Sequence, residues 1–139
     1  IGFVICVLRQ NKLIKEIGLD EIKEELRDES IIKIDKQKIY LTRHYIMGVN
    51  APLKIIKYED VAWTYILHQK TNGIETSTFL VVKTLNGKAY NLGGKVRNAN
   101  ENLELAIAEI ASRNKNILLG YTPENIREYK NIVKENKNK

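Results

Sequence analysis

The order of apolar and polar positions divides the chain into an opening apolar run, an amphipathic helix, a long β-patterned middle and a helical end. From Leu13 onward Leu13, Ile17, Leu19, Ile22 and Leu26 recur at helical spacing, with Asp20, Glu21, Glu24 and Glu25 on the remaining faces. Gly18 splits or bends this helix, and Asp28-Glu29-Ser30 ends it. Strand signals follow. Residues 31–35 are β-branched and alternate, Lys36-Gln37 reads as a turn, and residues 38–42 and 45–49 are strands around a bend at Arg43-His44. Asn50-Ala51-Pro52 is a loop, because a proline biases its predecessor away from helix.

Residues 53–58 and 61–69 continue the pattern on either side of a tight Glu59-Asp60 corner, where the Asp60 carboxylate is expected to tie down the turn. Thr71-Asn72-Gly73 and Asn86-Gly87 offer the left-handed backbone positions of two hairpin turns, the second joining residues 76–85 to residues 88–92. About seven short strands joined by tight connections predict antiparallel neighbours and a meander. Asn100 can cap a helix whose apolar stripe, Leu103, Ala106, Ile107 and Ile110, is wide enough to close one open end of a curled sheet. Residues 114–116 stop it. Thr122-Pro123-Glu124 then starts a last helix, with a hydroxyl cap, a proline at the first helical position and an acid in the first turn. Its stripe, Ile126, Tyr129 and Val133, is narrower, and the polar tail 135–139 frays.

A chain of 139 residues is the size of one domain that can bury a core without staples, and its ordinary apolar and charged fractions exclude disorder and low-complexity classes. The single cysteine, Cys6, can form neither an intramolecular disulfide nor a metal site by itself, which favours a reducing compartment. The net charge of +6 is unevenly spread. Residues 11–30 hold four Lys and Arg against seven Asp and Glu, a balance of −3, whereas residues 31–98 hold eleven against four, a balance of +7. A basic surface attracts nucleic acid, anionic lipid or an acidic protein alike; a solubilising surface is the plainer reading.

Residues 1–8, IGFVICVL, are followed at once by Arg9, Lys12 and Lys15. Eight residues span about 12 Å as a helix, well short of a hydrocarbon core of roughly 30 Å. The run therefore reads as the cytoplasmic end of a longer membrane anchor, as the start of a core strand or helix, or as a signal-peptide remnant.

The order of strands and closing helix is that of a pleckstrin-homology-like barrel, and the chain resembles the bacterial branch of that superfamily, in which a membrane segment often precedes a small cytoplasmic domain. KIYLTRHYIM at residues 38–47, IIKYEDVAWTY at residues 55–65, the paired hairpin turns and the closing helix carry the resemblance. The chain is also similar to an uncharacterised family from Gram-positive anaerobes with a Tyr-x-Asp-Val/Ile-x-Trp phrase and a Gly-Tyr-Thr-x-Glu-Asn phrase. Here those are Tyr58-Glu59-Asp60-Val61-Ala62-Trp63 and Gly120-Tyr121-Thr122-Pro123-Glu124-Asn125, and the match covers residues 20–134. The resemblance implies a small antiparallel barrel or strongly curled sheet of about seven strands with one closing helix, and the sequence pattern adds the acidic N-terminal helix and a second C-terminal helix, so that the expected class is α+β. Residues 1–10 would be the anchor remnant or core start, 11–30 the acidic helix, 31–113 the barrel with its closing helix, and 114–139 the C-terminal helix and tail.

No motif demands chemistry. Trp63 and Tyr65 lie two apart and share a sheet face with Val61 and Leu67, so they read as core or barrel-edge packing rather than as a stacking platform. His44 and His68 have no metal-ligand spacing. Leu92-Gly93-Gly94-Lys95 lacks the spacing of a phosphate loop and reads as a bend leaving the last strand. Cys6 has no neighbouring histidine to activate it. The expectation is a non-catalytic binding or scaffold module without a cofactor, cytoplasmic and tethered to the inner face of the membrane, that docks a protein, a peptide or anionic headgroups. Lys36, Lys38, Arg43, Lys54 and Lys57 would supply the field on one side, and Lys88, Lys95 and Arg97 on another. A nucleic-acid-binding domain using the same basic surface is the alternative.

Overall fold

The computed structural model of the protein describes residues 18–28, 31–34, 38–48, 54–94 and 100–138. The chain divides into two compact units, Ile1–Lys57 and Tyr58–Lys139.

In the first unit, helix α1 (Leu19–Arg27) is followed by β1 (Ile32–Ile34), β2 (Ile39–Leu41), β3 (Tyr45–Gly48) and β4 (Lys54–Lys57). The strands form an antiparallel meander in chain order. Its register aligns Leu41, Ile46 and Ile56 in one row, and these side chains are buried together with Ile34 and Ile39. The helix expected from Leu13 is described from Leu19 onward, behind a Gly18 that makes no side-chain cap. Residues 11–17 and the opening apolar run lie outside the described residues.

In the second unit a 3₁₀ turn (Tyr58–Asp60) leads into β5 (Val61–Thr71), β6 (Ile74–Thr84) and β7 (Ala89–Gly93), then α2 (Asn100–Arg113), β8 (Leu118–Leu119) and α3 (Pro123–Lys137). The sheet order is β7-β6-β5-β8, antiparallel except for the short parallel pair between β5 and β8. Asn72 and Gly73 both take positive φ, the backbone that a two-residue hairpin turn requires for strands of right-handed twist. Thr122 caps α3 by accepting from the Asn125 amide at 3.1 Å, with Pro123 behind it, as the sequence predicts.

Strand alternation gives this sheet two buried faces. Trp63, Tyr65 and Val81 form one and pack against Ile126 and Tyr129 of α3 and Leu118 of β8. Thr64, Leu80, Val82 and Leu92 lie on the opposite face, where α2 packs on β5 and β6 with Leu103, Ala106 and Ile110 buried. The unit is thus a helix-sheet-helix sandwich.

The single barrel or curled seven-stranded sheet is overturned: there are two sheets of four strands, and neither closes or curls. The pleckstrin-homology-like architecture goes with it; the coarser α+β class stands. The meander breaks at the phrase expected to hold it together. Between β4 and β5 the chain makes a 3₁₀ turn with Tyr58 buried, and β5 then pairs with β6 and β8 instead of β4. Asn114, just past α2, fixes that turn by donating from Nδ2 to the Tyr58 carbonyl at 2.8 Å, and Arg113 lies over the Tyr58 ring at 4.9 Å. Asp60 does hold the corner, but through its main-chain carbonyl, which accepts from the Leu85 amide at 3.0 Å. Among the described residues no helix is long and apolar enough to cross a membrane.

Candidate functional site

The two recognisable sequence phrases meet in the second unit. Trp63 on β5 is buried at 2% exposure, and its indole Nε1 donates to the Gly120 carbonyl at 2.7 Å. The same carbonyl accepts from Asn125 Nδ2 at 2.9 Å, and that amide also reaches the Leu119 carbonyl at 2.9 Å. These bonds pin the chain where β8 ends and α3 begins. Gly120 turns there with φ +91°, a left-handed conformation that a side chain would strain.

Four aromatic rings and one cation gather around that anchor. Tyr121 stacks on Trp63 with centroids 5.8 Å apart and 9° between planes; Tyr65 and Tyr129 lie 4.7 and 5.4 Å from Trp63. Lys83, opposite Trp63 on β6, puts its Nζ 4.8 Å from the Trp63 centroid, 5.6 Å from Tyr129 and 5.8 Å from Tyr65, within the range of cation–π attraction. Burial pushes the Tyr65 and Tyr129 hydroxyls above their ordinary 10.0, with Tyr121 adding to the first and Tyr65 to the second. Tyr129 spends its hydroxyl on the Thr84 carbonyl at 2.8 Å. Tyr121 alone among these rings is largely in solvent, at 64% exposure. The packing expected of Trp63 and Tyr65 is therefore present, with Tyr121 as an exposed outer layer. Val61 drops out of their alternation at a register shift before Trp63.

Beyond this cluster the β5–β6 hairpin continues as a two-stranded ribbon exposed from Leu67 to Thr76. Five strand residues past Ile66 reach about 17 Å. Leu67 is 37% exposed and shares the face of Tyr65, while Ile74 near the tip is 70% exposed. On the other face His68 Nδ1 sits 2.8 Å from Glu75 Oε1, and the Thr78 hydroxyl donates to the same oxygen. The hydrogen bonds from Thr78 and, next, from His68 hold the exposed Glu75 carboxyl below its ordinary value.

The edge of β5 is only partly used. β8 covers Trp63 and Thr64, and the Thr64 carbonyl accepts from the Gly120 amide at 3.1 Å. Main-chain groups alternate sides along a strand, so the residues whose N–H and C=O face that edge are Thr64, then Ile66 and His68. Among the described residues no backbone group pairs with Ile66 or His68 on that side.

Four of the basic residues singled out from the sequence are described at two ends of the first sheet. Lys38 precedes β2 at the end of the first sheet where Gly48 pairs with Lys54, whereas Arg43 lies in the β2–β3 bend at the end where Tyr45 pairs with Lys57. Three strand steps place these pairs about 10 Å apart, more than the Debye length of about 8 Å in physiological salt. Lys88 is exposed in the β6–β7 turn of the other unit. Lys36, Lys95 and Arg97 lie outside the described residues.

One polar network in the first unit was not foreseen. Glu25 on α1 is 6% exposed, and its Oε1 accepts from Thr42 Oγ1 at 3.2 Å, the His44 amide at 2.9 Å and His44 Nδ1 at 2.9 Å. Thr42 Oγ1 also accepts from the Tyr45 amide at 3.0 Å, which knits the β2–β3 bend to α1. Burial, followed by the charges of Glu21 and Glu25, raises the Tyr45 hydroxyl. Among the described residues no group of three or more His, Cys, Asp or Glu side chains could hold a metal ion. Compared with protein-family models and with curated proteins, the sequence matches none.

Proposed function

We propose that this chain is a non-catalytic docking module that joins polypeptides by adding an extended strand to the open edge of β5. The observation that carries this reading is the early end of β8. Gly120 turns the chain away after Thr64, and the outward N–H and C=O groups of Ile66 and His68 continue the same line without a partner among the described residues. Exposed Leu67 and Tyr121 flank that line with apolar surface. An incoming strand gains main-chain hydrogen bonds along the edge, and its alternate side chains meet the apolar surface.

The anionic-surface and nucleic-acid readings rest on pooled positive charge, and of the cations singled out for it Lys38, Arg43, Lys54 and Lys57 sit at separate ends of one sheet and Lys88 in a turn of the other unit. A polypeptide needs no such pooling. The test is fluorescence anisotropy with a labelled peptide of alternating Thr and Val and with the same peptide N-methylated on the amides that would donate to β5. Strand addition predicts saturable binding of the first and loss of at least tenfold in affinity for the second. Equal binding of both, or of neither at millimolar protein, contradicts the proposal.

A further inference from the structure

We infer that the strand taken up by β5 is an acidic one, with a carboxylate side chain set against Lys70 and an apolar side chain set against Leu67. This rests on the strand-addition reading and names the class of polypeptide that fits it. β5 runs regularly beyond the stretch that β8 covers: Gln69 pairs with Ser77 and Lys70 with Glu75, so the extra residue at that register shift is Thr76 on β6. The outward main-chain groups therefore continue in alternation from Ile66 and His68 to Lys70.

The two ends of this edge differ in chemistry. Next to the Gly120 turn the surface is apolar on both faces. Leu67 and Tyr121, at 37% and 64% exposure, lie on the face of Tyr65. Leu119, at 48%, ends β8 opposite Thr64 and shares the other face with Ile66. Toward the ribbon tip the edge becomes cationic. Lys70 is exposed there, and its cross-strand neighbour Glu75 already holds the Thr78 hydroxyl and His68 Nδ1 on a single oxygen. The charge of Lys70 comes last among the causes that lower the Glu75 carboxyl, and among the described residues Lys70 makes no direct ion pair.

A lysine on an open edge disfavours a strand that sets a cation opposite it and favours one that sets an anion there. Leu67 and Lys70 lie three positions apart and on opposite faces, and the same offset holds for the side chains that oppose them, whichever way the incoming strand runs. The matching segment therefore carries an Asp or Glu and an apolar residue separated by two others, with the apolar one nearer the Gly120 turn.

The test is fluorescence anisotropy with the full chain and labelled peptides of alternating Thr and Val that carry one Glu and one Leu separated by two residues. Both orders are used, since Glu first fits an antiparallel strand and Leu first a parallel one. In the order that binds better, Glu→Lys in the peptide is expected to weaken binding about fivefold at low salt. Leu→Thr in the peptide is expected to weaken it by about the same factor. High salt should abolish the first difference and keep the second. Lys70→Gln, with an unchanged circular dichroism spectrum, is expected to bind the Glu and Lys peptides equally. Equal affinity of the protein for Glu and Lys peptides in both orders, or a preference for Glu that survives Lys70→Gln, overturns the inference. If that equal binding is still lost on N-methylation, strand addition stands and only the acidic partner falls; if no peptide binds at millimolar protein, both fall.

Discussion

Replacing Trp63 with alanine is expected to destabilise the second unit by about 4 kcal/mol, the cost of emptying a fully buried aromatic site whose neighbours cannot collapse into it. Three further rings and Lys83 pack on the indole, and its Nε1 holds the Gly120 carbonyl. Trp63→Phe keeps a ring in the site and loses the hydrogen bond and some packing, for about 1–2 kcal/mol. Chemical denaturation followed by circular dichroism measures both. The order matters more than the sizes: a Trp63→Ala loss below about 1 kcal/mol would mean that the indole does not anchor the Gly120 turn. Because that turn decides where β8 stops, Trp63 also sets how much of the β5 edge stays open. Trp63 is the only tryptophan, so Tyr121→Ala can be read in its fluorescence, with a red shift as the stacked ring is removed.

Glu25→Ala is the second large effect expected, at about 2–3 kcal/mol. The substitution removes the one acceptor shared by the Thr42 hydroxyl, the His44 amide and His44 Nδ1, and leaves donors beside a buried site. Glu25→Gln retains a neutral oxygen and should lose about half as much. Amide exchange at Tyr45, which depends on Thr42 Oγ1, reports the damage locally. Acceleration there by about 30-fold or more for alanine, and clearly less for glutamine, is the predicted outcome. Equal acceleration by the two variants would show that the carboxylate's hydrogen bonds are not what ties α1 to the β2–β3 bend.

Features fixed by neighbours in sequence were legible in the sequence; features fixed by distant pairing were not. Asn72-Gly73 announces a hairpin because few other residues accept such backbones, Asn86-Gly87 a turn in which only Gly87 takes positive φ, and Thr122-Pro123 a helix start because each residue does its part locally. Period-two alternation placed Trp63, Tyr65 and Leu67 on one face. Alternation cannot say which edges pair, and seven strands with short connections read as one meander although β4 and β5 belong to separate sheets. The two-residue β8 is too short to leave a periodic signal, yet it decides the second sheet's order. Summed charge likewise says nothing of placement. The middle of the chain is basic in sum, but β2, β3 and β4 carry Lys38, Arg43, Lys54 and Lys57 to opposite ends of a sheet. Lys83 has a defined aromatic environment, as Arg113 over Tyr58 does, and its position opposite Trp63 follows only from the β5–β6 register.

Hydrogen-deuterium exchange along β5 at high dilution tests the account most directly. An open edge predicts an alternating pattern, with the amides of Ile66 and His68 exchanging fast and those of Tyr65 and Leu67, directed toward β6, exchanging slowly. If Ile66 and His68 are already as protected as their neighbours in the dilute monomer, the edge is covered and the docking account is wrong.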